Sequence, residues 1–246
     1  MQLRFLGRGS AFNPKEGSNS AYFVEGDELF LIDCGENTFG KLLENKVLEN
    51  IKTINLMITH THSDHVGSLG SLVGYSFYVL RQPVNIILPD NAKHLSSIGK
   101  VLSGVGCTTQ MYYYKDEKTF DEKYENFQKI RYIETKHCDE LNSYGILFAT
   151  QKGKVYYSGD TREIDTIKTL IDSGQPIDKI YIDTTTNNFS SNPHLYIGIL
   201  QRTIPEEMKS QVYCMHFNDD DCIEQAKILG FNVVEIEKTD DSFEQL

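Results

Sequence analysis

The chain has 246 residues with 24 basic and 35 acidic side chains, a formal charge of −11 at pH 7. A chain of this length buries roughly 70–75% of its unfolded surface, so its core needs no disulfides, and no run nears the ~18 apolar residues of a membrane span. The acidic balance argues against wrapping a nucleic-acid backbone, which depends on Lys and Arg neutralising phosphates, but leaves room for a small anion in a locally positive pocket.

Period-two alternation predicts strands over 3–6, 21–25, 29–33, 55–59, 85–88, 128–134, 145–150, 154–158, 179–183, 211–215 and 232–236. Helical periodicity predicts helices over 37–48, 65–80, 92–102, 163–173, 196–204 and 219–229. In the last, Asp219 caps the start, Ile223, Ala226 and Leu229 share a face, and Gly230 ends it. Three strands separated only by turns, followed by alternating strand and helix, give an α/β class with a mixed sheet covered by helices. No internal repeat and no Pro/Gly/Ser linker divides the chain, so 1–246 reads as one domain. Residues 115–125 read as a solvated loop or hairpin tip, 235–246 as a solvated acidic tail, and Tyr112–Tyr114 as a buried strand.

Five cysteines (Cys34, Cys107, Cys138, Cys214, Cys222) form no CxxC pair and are odd in number. With no apolar leader before Gly7, they fit a reducing cytosol. Cys138 and Cys214 adjoin histidines but read as small hydrophobic side chains, and His94 as a surface-helix residue without chemistry.

The strongest signal is ITHTHSDHVGSLG, in which His60, His62, Asp64 and His65 are spaced H-x-H-x-D-H. The chain's own composition yields such a match about 4 times in 10,000 by chance. It falls where a strand passes into a helix, so its side chains can converge, and imidazoles with a carboxylate suit zinc-type ions. Four residues cannot complete two coordination spheres. His137, Asp160 and His216 each follow a predicted strand and can share the same sheet edge, giving two histidine-containing sets bridged by one carboxylate. Asp33, ending the third strand, reads as a supporting carboxylate, not a ligand. Gly7 and Gly9 lack the third glycine and the helix of a dinucleotide site; their turn reads as lying near the metal edge, with Arg8 or Ser10 in reach of substrate.

HTHSDH resembles the signature of the metallo-β-lactamase fold, and the ribonuclease Z-like phosphodiesterase branch is matched further by FLGRGSAF (5–12), LIDCGE (31–36), YSGDTR (157–162) and HF (216–217). The resemblance implies an αββα four-layer sandwich with two mixed β-sheets between helices. It also implies two divalent ions, zinc by default and manganese as the alternative. His60, His62 and His137 would hold one, Asp64, His65 and His216 the other, and Asp160 would bridge. His194 matches the catalytic histidine and would protonate the leaving oxygen, with Asp183 where the family has Glu as its partner; Asp64 is counted in the catalytic set as well. Leu195 departs from the Ser or Thr that follows the catalytic histidine in the family.

Ribonuclease Z grips tRNA with a long arm between the third ligand block and the bridging Asp, but here only 23 positions separate His137 from Asp160. The chain is therefore similar to an armless branch, which includes phage anti-Pycsar proteins that hydrolyse cyclic mononucleotides. The expectation is a phosphodiesterase acting on cyclic CMP, UMP, AMP or GMP, working as a cytoplasmic homodimer to blunt a cyclic-nucleotide immune signal. Alternatives are a tRNA 3′-processing nuclease, a non-catalytic nucleotide sponge, and a lactam or thioester hydrolase; a bridging Asp160 disfavours the lactam route.

Overall fold

The computed structural model describes residues 1–89 and 92–238. Its first half lays down β1 (Arg4–Gly7), β2 (Ser20–Glu25) and β3 (Glu28–Ile32) as antiparallel neighbours. The chain then crosses through α1 (Thr38–Glu44) to β4 (Thr53–Met57), and through α2 (Ser63–Val66) and α3 (Leu69–Tyr78) to β5 (Val84–Leu88). Helix α4 (Ala92–Gly104) leads to β6 (Tyr112–Asp116), and β3 to β6 run parallel. The second half repeats this plan. β7 (Lys129–Thr135), β8 (Ser143–Thr150) and β9 (Gly153–Tyr157) are antiparallel, and α5 (Asp165–Asp172), β10 (Ile177–Asp183), α6 (Ile197–Thr203), β11 (Val212–Met215), α7 (Asp220–Ile228) and β12 (Asn232–Val233) extend the sheet in parallel. Each sheet has six strands in sequential order. The sequence shows no repeat, yet the topology is duplicated, because strand order depends on alternation and turn length and not on residue identity.

Three apolar clusters define four layers. Alternation in β2 and β3 sends Tyr22, Leu29 and Leu31 toward Leu42, Leu72 and Ile98 of the first helix layer. The intervening Phe23, Phe30 and Ile32 face the second sheet, meeting Ile130, Phe148 and Val155. Beyond that sheet, Ile180, Ile182 and Cys214 pack on Ile167, Leu200 and Ala226. This is the αββα sandwich with two mixed sheets that the resemblance implied. Among the described residues, no helix is long and apolar enough to cross a membrane.

Several predicted elements are corrected. The single helix over 65–80 is two: Gly67 closes a one-turn α2 that already contains Asp64 and His65, and α3 starts afresh after Ser68. The helix over 37–48 stops at Glu44, with Lys46 turned to φ 56°. Residues 115–125 are not simply solvated: Asp116 caps a 3₁₀ turn over Glu117–Phe120, and the rings of Phe120 and Tyr124 pack on Phe30 at 5.9 and 5.1 Å. Tyr112–Tyr114 do form strand, but at the edge of the first sheet, so only Tyr112 is buried while Tyr113 is exposed. The strand over 232–236 leaves the second sheet after Val233, and Ile236 pairs instead with Phe5 of β1. Glu237 donates its N–H to the Phe5 carbonyl and ion-pairs with Arg4, so the start of the expected tail is docked; 239–246 lie outside the described residues. His94 is buried, with Nε2 donating to the Ile58 carbonyl at 2.9 Å. The α7 signals hold: Asp219 accepts from the Cys222 N–H, and Gly230 turns at φ 85°.

Candidate metal centre

Parallel strands end on the same side, and the loops after them converge there. Asp33 follows β3, His60 and His62 follow β4, His137 follows β7, Asp160 follows β9, Asp183 ends β10 and His216 follows β11. His62 is the extended residue before α2, which aims Asp64 and His65 back at the same edge. The LIDCGE segment packs against this turn: the Cys34 N–H donates to the His65 carbonyl at 2.8 Å, and a Cβ on Gly35 would lie 2.0 Å from the Asp64 carbonyl oxygen. Only glycine permits that approach.

All seven residues expected as ligands come together. His62 Nδ1 lies 3.0 Å from His60 Nε2 and 3.1 Å from His137 Nε2, so three ring nitrogens face one point. His137 Nδ1 donates to the Pro193 carbonyl at 3.1 Å, which leaves the Nε2 lone pair for that point. On the other side, His65 Nε2 lies 3.3 Å from both Asp64 Oδ2 and Asp160 Oδ1, and His216 Nε2 lies 3.3 Å from Asp64 Oδ2. One donor group comprises His60, His62, His137 and Asp160, a second Asp64, His65, Asp160 and His216, and a third Asp160, Asp183, His194 and His216; within each, donor atoms lie within 4.8 Å of one another. Asp160 belongs to all three.

The buried atoms test whether divalent ions fit. His65 Nε2 and Asp160 Oδ1 are fully buried, face each other, and have no hydrogen-bond partner. A buried polar atom without a well-formed partner is costly, and a cation that displaces the His65 proton and accepts both lone pairs removes that cost. The residues present therefore suit divalent ions.

Charge distribution follows the same division. Burial, reinforced by His65, holds His60 well below the usual imidazole range, and burial with His137 lowers His62. Both are neutral lone-pair donors. Burial also disfavours protonated His65 and His216, but the surrounding carboxylates outweigh it; Asp160, Asp183 and Asp64 push His216 up to about 10. Burial opposes ionisation of Asp64 and Asp160 too, yet the neighbouring imidazoles keep both ionised far below the usual carboxylate range.

His194 stands beside this cluster. Its Nδ1 donates to Asp183 Oδ2 at 2.8 Å, and its ring centre lies 4.9 Å from that of His216. Burial lowers the His194 pKa, but Asp183 more than restores it, so the net shift is upward. Asp183 also accepts from the Thr161 N–H at 3.0 Å. Leu195 is fully buried in the helix-side core, which accounts for an apolar residue after His194.

Asp33 supports the site as expected. Its carboxylate accepts from the Thr59 N–H at 2.7 Å, the Thr59 hydroxyl at 2.8 Å and His65 Nδ1 at 2.8 Å. Asp33 and His216 both adopt left-handed backbone, at φ 62° and 61°. Sequence reasoning missed the bracing roles of Thr59, Pro193 and Ser158, whose Oγ accepts from the Asp183 N–H; adjacency to the ligand and strand-end positions was the only signal. The Arg8 guanidinium is held by Glu16 and by the Val234 carbonyl, at 2.6 and 2.8 Å. Cys214 is buried as expected, whereas Cys138 is half-buried at the rim, with Sγ 3.9 Å from His62 Nε2.

Comparison with known proteins fits this geometry. The crystal structure of the metallo-β-lactamase fold protein YhfI from Bacillus subtilis superposes with a TM-score of 0.70 at 18% identity, covering 96% of each chain. The fold is therefore that of the metallo-β-lactamases. A ribonuclease Z from Methanococcus maripaludis is 38% identical over 108 residues, 43% of this chain and 34% of that protein. An anti-Pycsar protein Apyc1 from Bacillus phage BSP38 is 29% identical over 237 residues, 89% of this chain and 90% of that protein. The ribonuclease likeness is thus partial and the phage likeness runs nearly end to end. With residues 1–235 matched by the family model described as anti-Pycsar protein Apyc1, the chain belongs to that family.

Proposed function

We propose that this protein is a binuclear-metal phosphodiesterase that hydrolyses cyclic mononucleotides to nucleoside monophosphates. The observation that carries the reading is the place of Asp160, shared by the imidazole set around His62 and the mixed set around His65, with an unpaired oxygen turned toward His65. In this reading His60, His62 and His137 would hold one ion and Asp64, His65 and His216 the other, with Asp160 available to both. Zinc is the first candidate and manganese the second. When bound, such ions supply Lewis acidity, acidifying a water near neutral pH and offsetting phosphate charge.

The chain's own groups do the rest. Asp64, whose Oδ2 lies 3.3 Å from both His65 Nε2 and His216 Nε2, orients the attacking water. As the new oxygen–phosphorus bond forms, the ring P–O bond on the opposite side breaks and leaves an alkoxide. His194 gives that oxygen its proton from Nε2, while Asp183 holds Nδ1 and raises the affinity of the ring for the proton. Such proton transfer contributes about 10²–10⁴-fold.

A compact substrate also suits the loop lengths. Between His137 and Asp160 the chain runs as β8 and β9, joined by a tight turn, with no projection to grip tRNA. We further read 1–246 as one domain that works as a homodimer in a host cytosol and removes a cyclic-nucleotide immune signal. The test is incubation of metal-loaded protein with cyclic CMP, UMP, AMP and GMP and with a precursor tRNA, followed by chromatography. Nucleoside monophosphates are expected. Cleavage of tRNA alone, or cyclic nucleotide retained unchanged, overturns the reading. His194→Ala should cut turnover by at least about a hundredfold with metal content intact; loss of metal would make His194 a ligand.

A further inference from the structure

Among the described residues, two phenylalanines are exposed, Phe12 at 96% and Phe189 at 56%. Both stand on loops fastened to the metal edge. The turn carrying Phe12 is closed by the Asn13 N–H on the Ser10 carbonyl, at 3.0 Å. It is anchored at Phe217, the neighbour of His216, whose carbonyl accepts from the Ser10 N–H and from Asn13 Nδ2, each at 3.0 Å. Phe189 sits on the loop between Asp183 and His194. Its carbonyl accepts from the Asn192 N–H at 3.1 Å, Asn192 Nδ2 donates to the Asn187 carbonyl, and Asn192 Oδ1 accepts from the His194 N–H at 3.1 Å. Phe189 is therefore one hydrogen-bonded turn from the proposed proton donor.

Loops braced in this way fix the backbone that carries the rings, and an aromatic face kept in water beside a phosphate site is suited to stacking. The other exposed aromatics among the described residues do not stand on these loops: Tyr113 and Tyr114 lie on β6, two strands from β4 at the far edge of the first sheet, and Tyr78 is the last residue of α3. We infer that Phe12 and Phe189 form a nucleobase subsite, flanking the metal edge and stacking on the base of the cyclic nucleotide. This rests on the phosphodiesterase reading and extends it to how the substrate is held. Stacking is indifferent to base identity, because every base has a π-face, so the subsite serves purine and pyrimidine nucleotides alike.

The experiment is steady-state kinetics of Phe12→Ala, Phe189→Ala and the Phe→Trp counterparts on all four cyclic nucleotides and on a base-free methyl ribose cyclic phosphate. Each alanine change should raise KM for every nucleotide about tenfold, with kcat within about twofold and the base-free substrate unaffected; tryptophan should restore KM. Calorimetric Kd values in a His194→Ala background read the same contribution without turnover, so they separate this inference from failure of the hydrolytic reading. Unchanged KM and Kd, an equal loss on the base-free substrate, or a change in sedimentation coefficient that makes the rings subunit contacts would each overturn it.

Discussion

Asp33→Asn isolates one hydrogen bond, that from His65 Nδ1, at the base of the candidate metal centre. Asp33 is fully buried at φ 62°, a backbone conformation that Asn tolerates as well as Asp, so the substitution preserves shape and main chain. What changes is acceptor capacity. The carboxylate takes three donors, the Thr59 N–H, the Thr59 hydroxyl and His65 Nδ1. If the amide oxygen stays on the Thr59 N–H, its NH₂ faces the hydroxyl and the ring. His65 can then satisfy it only by accepting at Nδ1, which moves its proton to Nε2, the atom that faces Asp64 and Asp160. A protonated Nε2 has no lone pair for a cation. Outer partners of this kind govern metal affinity by about 10–100-fold, or roughly 1.4–2.7 kcal/mol. Competition with a chromogenic chelator should show that loss, with near-native far-UV circular dichroism. Affinity within about twofold of the parent protein would refute the tautomer argument.

Two further predictions follow from the same site. Gly35→Ala places a Cβ 2.0 Å from the Asp64 carbonyl oxygen and 2.4 Å from Ser18 Cβ, so the one-turn helix must move; denaturant melts should show a loss of about 3 kcal/mol, with reduced metal content, and full metal occupancy would count against the close approach. Metal binding should release protons, because the carboxylates around His216 push it up to about 10 in the metal-free cluster, while a ligand must be deprotonated. Affinity should therefore rise with pH from about 6 to about 9, by up to tenfold per unit for each proton displaced, and a flat profile with no proton release in calorimetry would contradict it.

The sequence carried most of the site and less of its framing. H-x-H-x-D-H was legible because its residues crowd into one strand-to-helix turn, and His137, Asp160 and His216 because each follows an apolar strand. Residues that act through main-chain atoms were not: the Pro193 carbonyl that orients His137, and the 2.0 Å approach at Gly35, leave no mark on residue type. Strand β6 was legible in Tyr112–Tyr114 but not its exposure or its extension to Asp116, because the edge position that leaves one side in water is set by strand order and not by residue type. The exchange of residues 234–237 from β12 to β1 was equally hidden, since pairing with Phe5 depends on where two distant chain ends meet.

Charge gives the site its logic. Four fully or nearly fully buried carboxylates, Asp33, Asp64, Asp160 and Asp183, lie on this edge among imidazoles. In the metal-free cluster, protons on His65 and His216 offset them, and two divalent ions would replace those protons with matching positive charge. His60 and His62, lowered by burial, add lone pairs without adding charge. The same exchange would couple folding to metal, because Asp64 and His65 come from the first half of the chain while Asp160 and His216 come from the second. An ion shared between them would tie the two sheets together at the end where their strands stop. The net charge of −11, which counts these buried carboxylates, repels polyanions at long range, whereas attraction within a pocket neutralised in this way would be local.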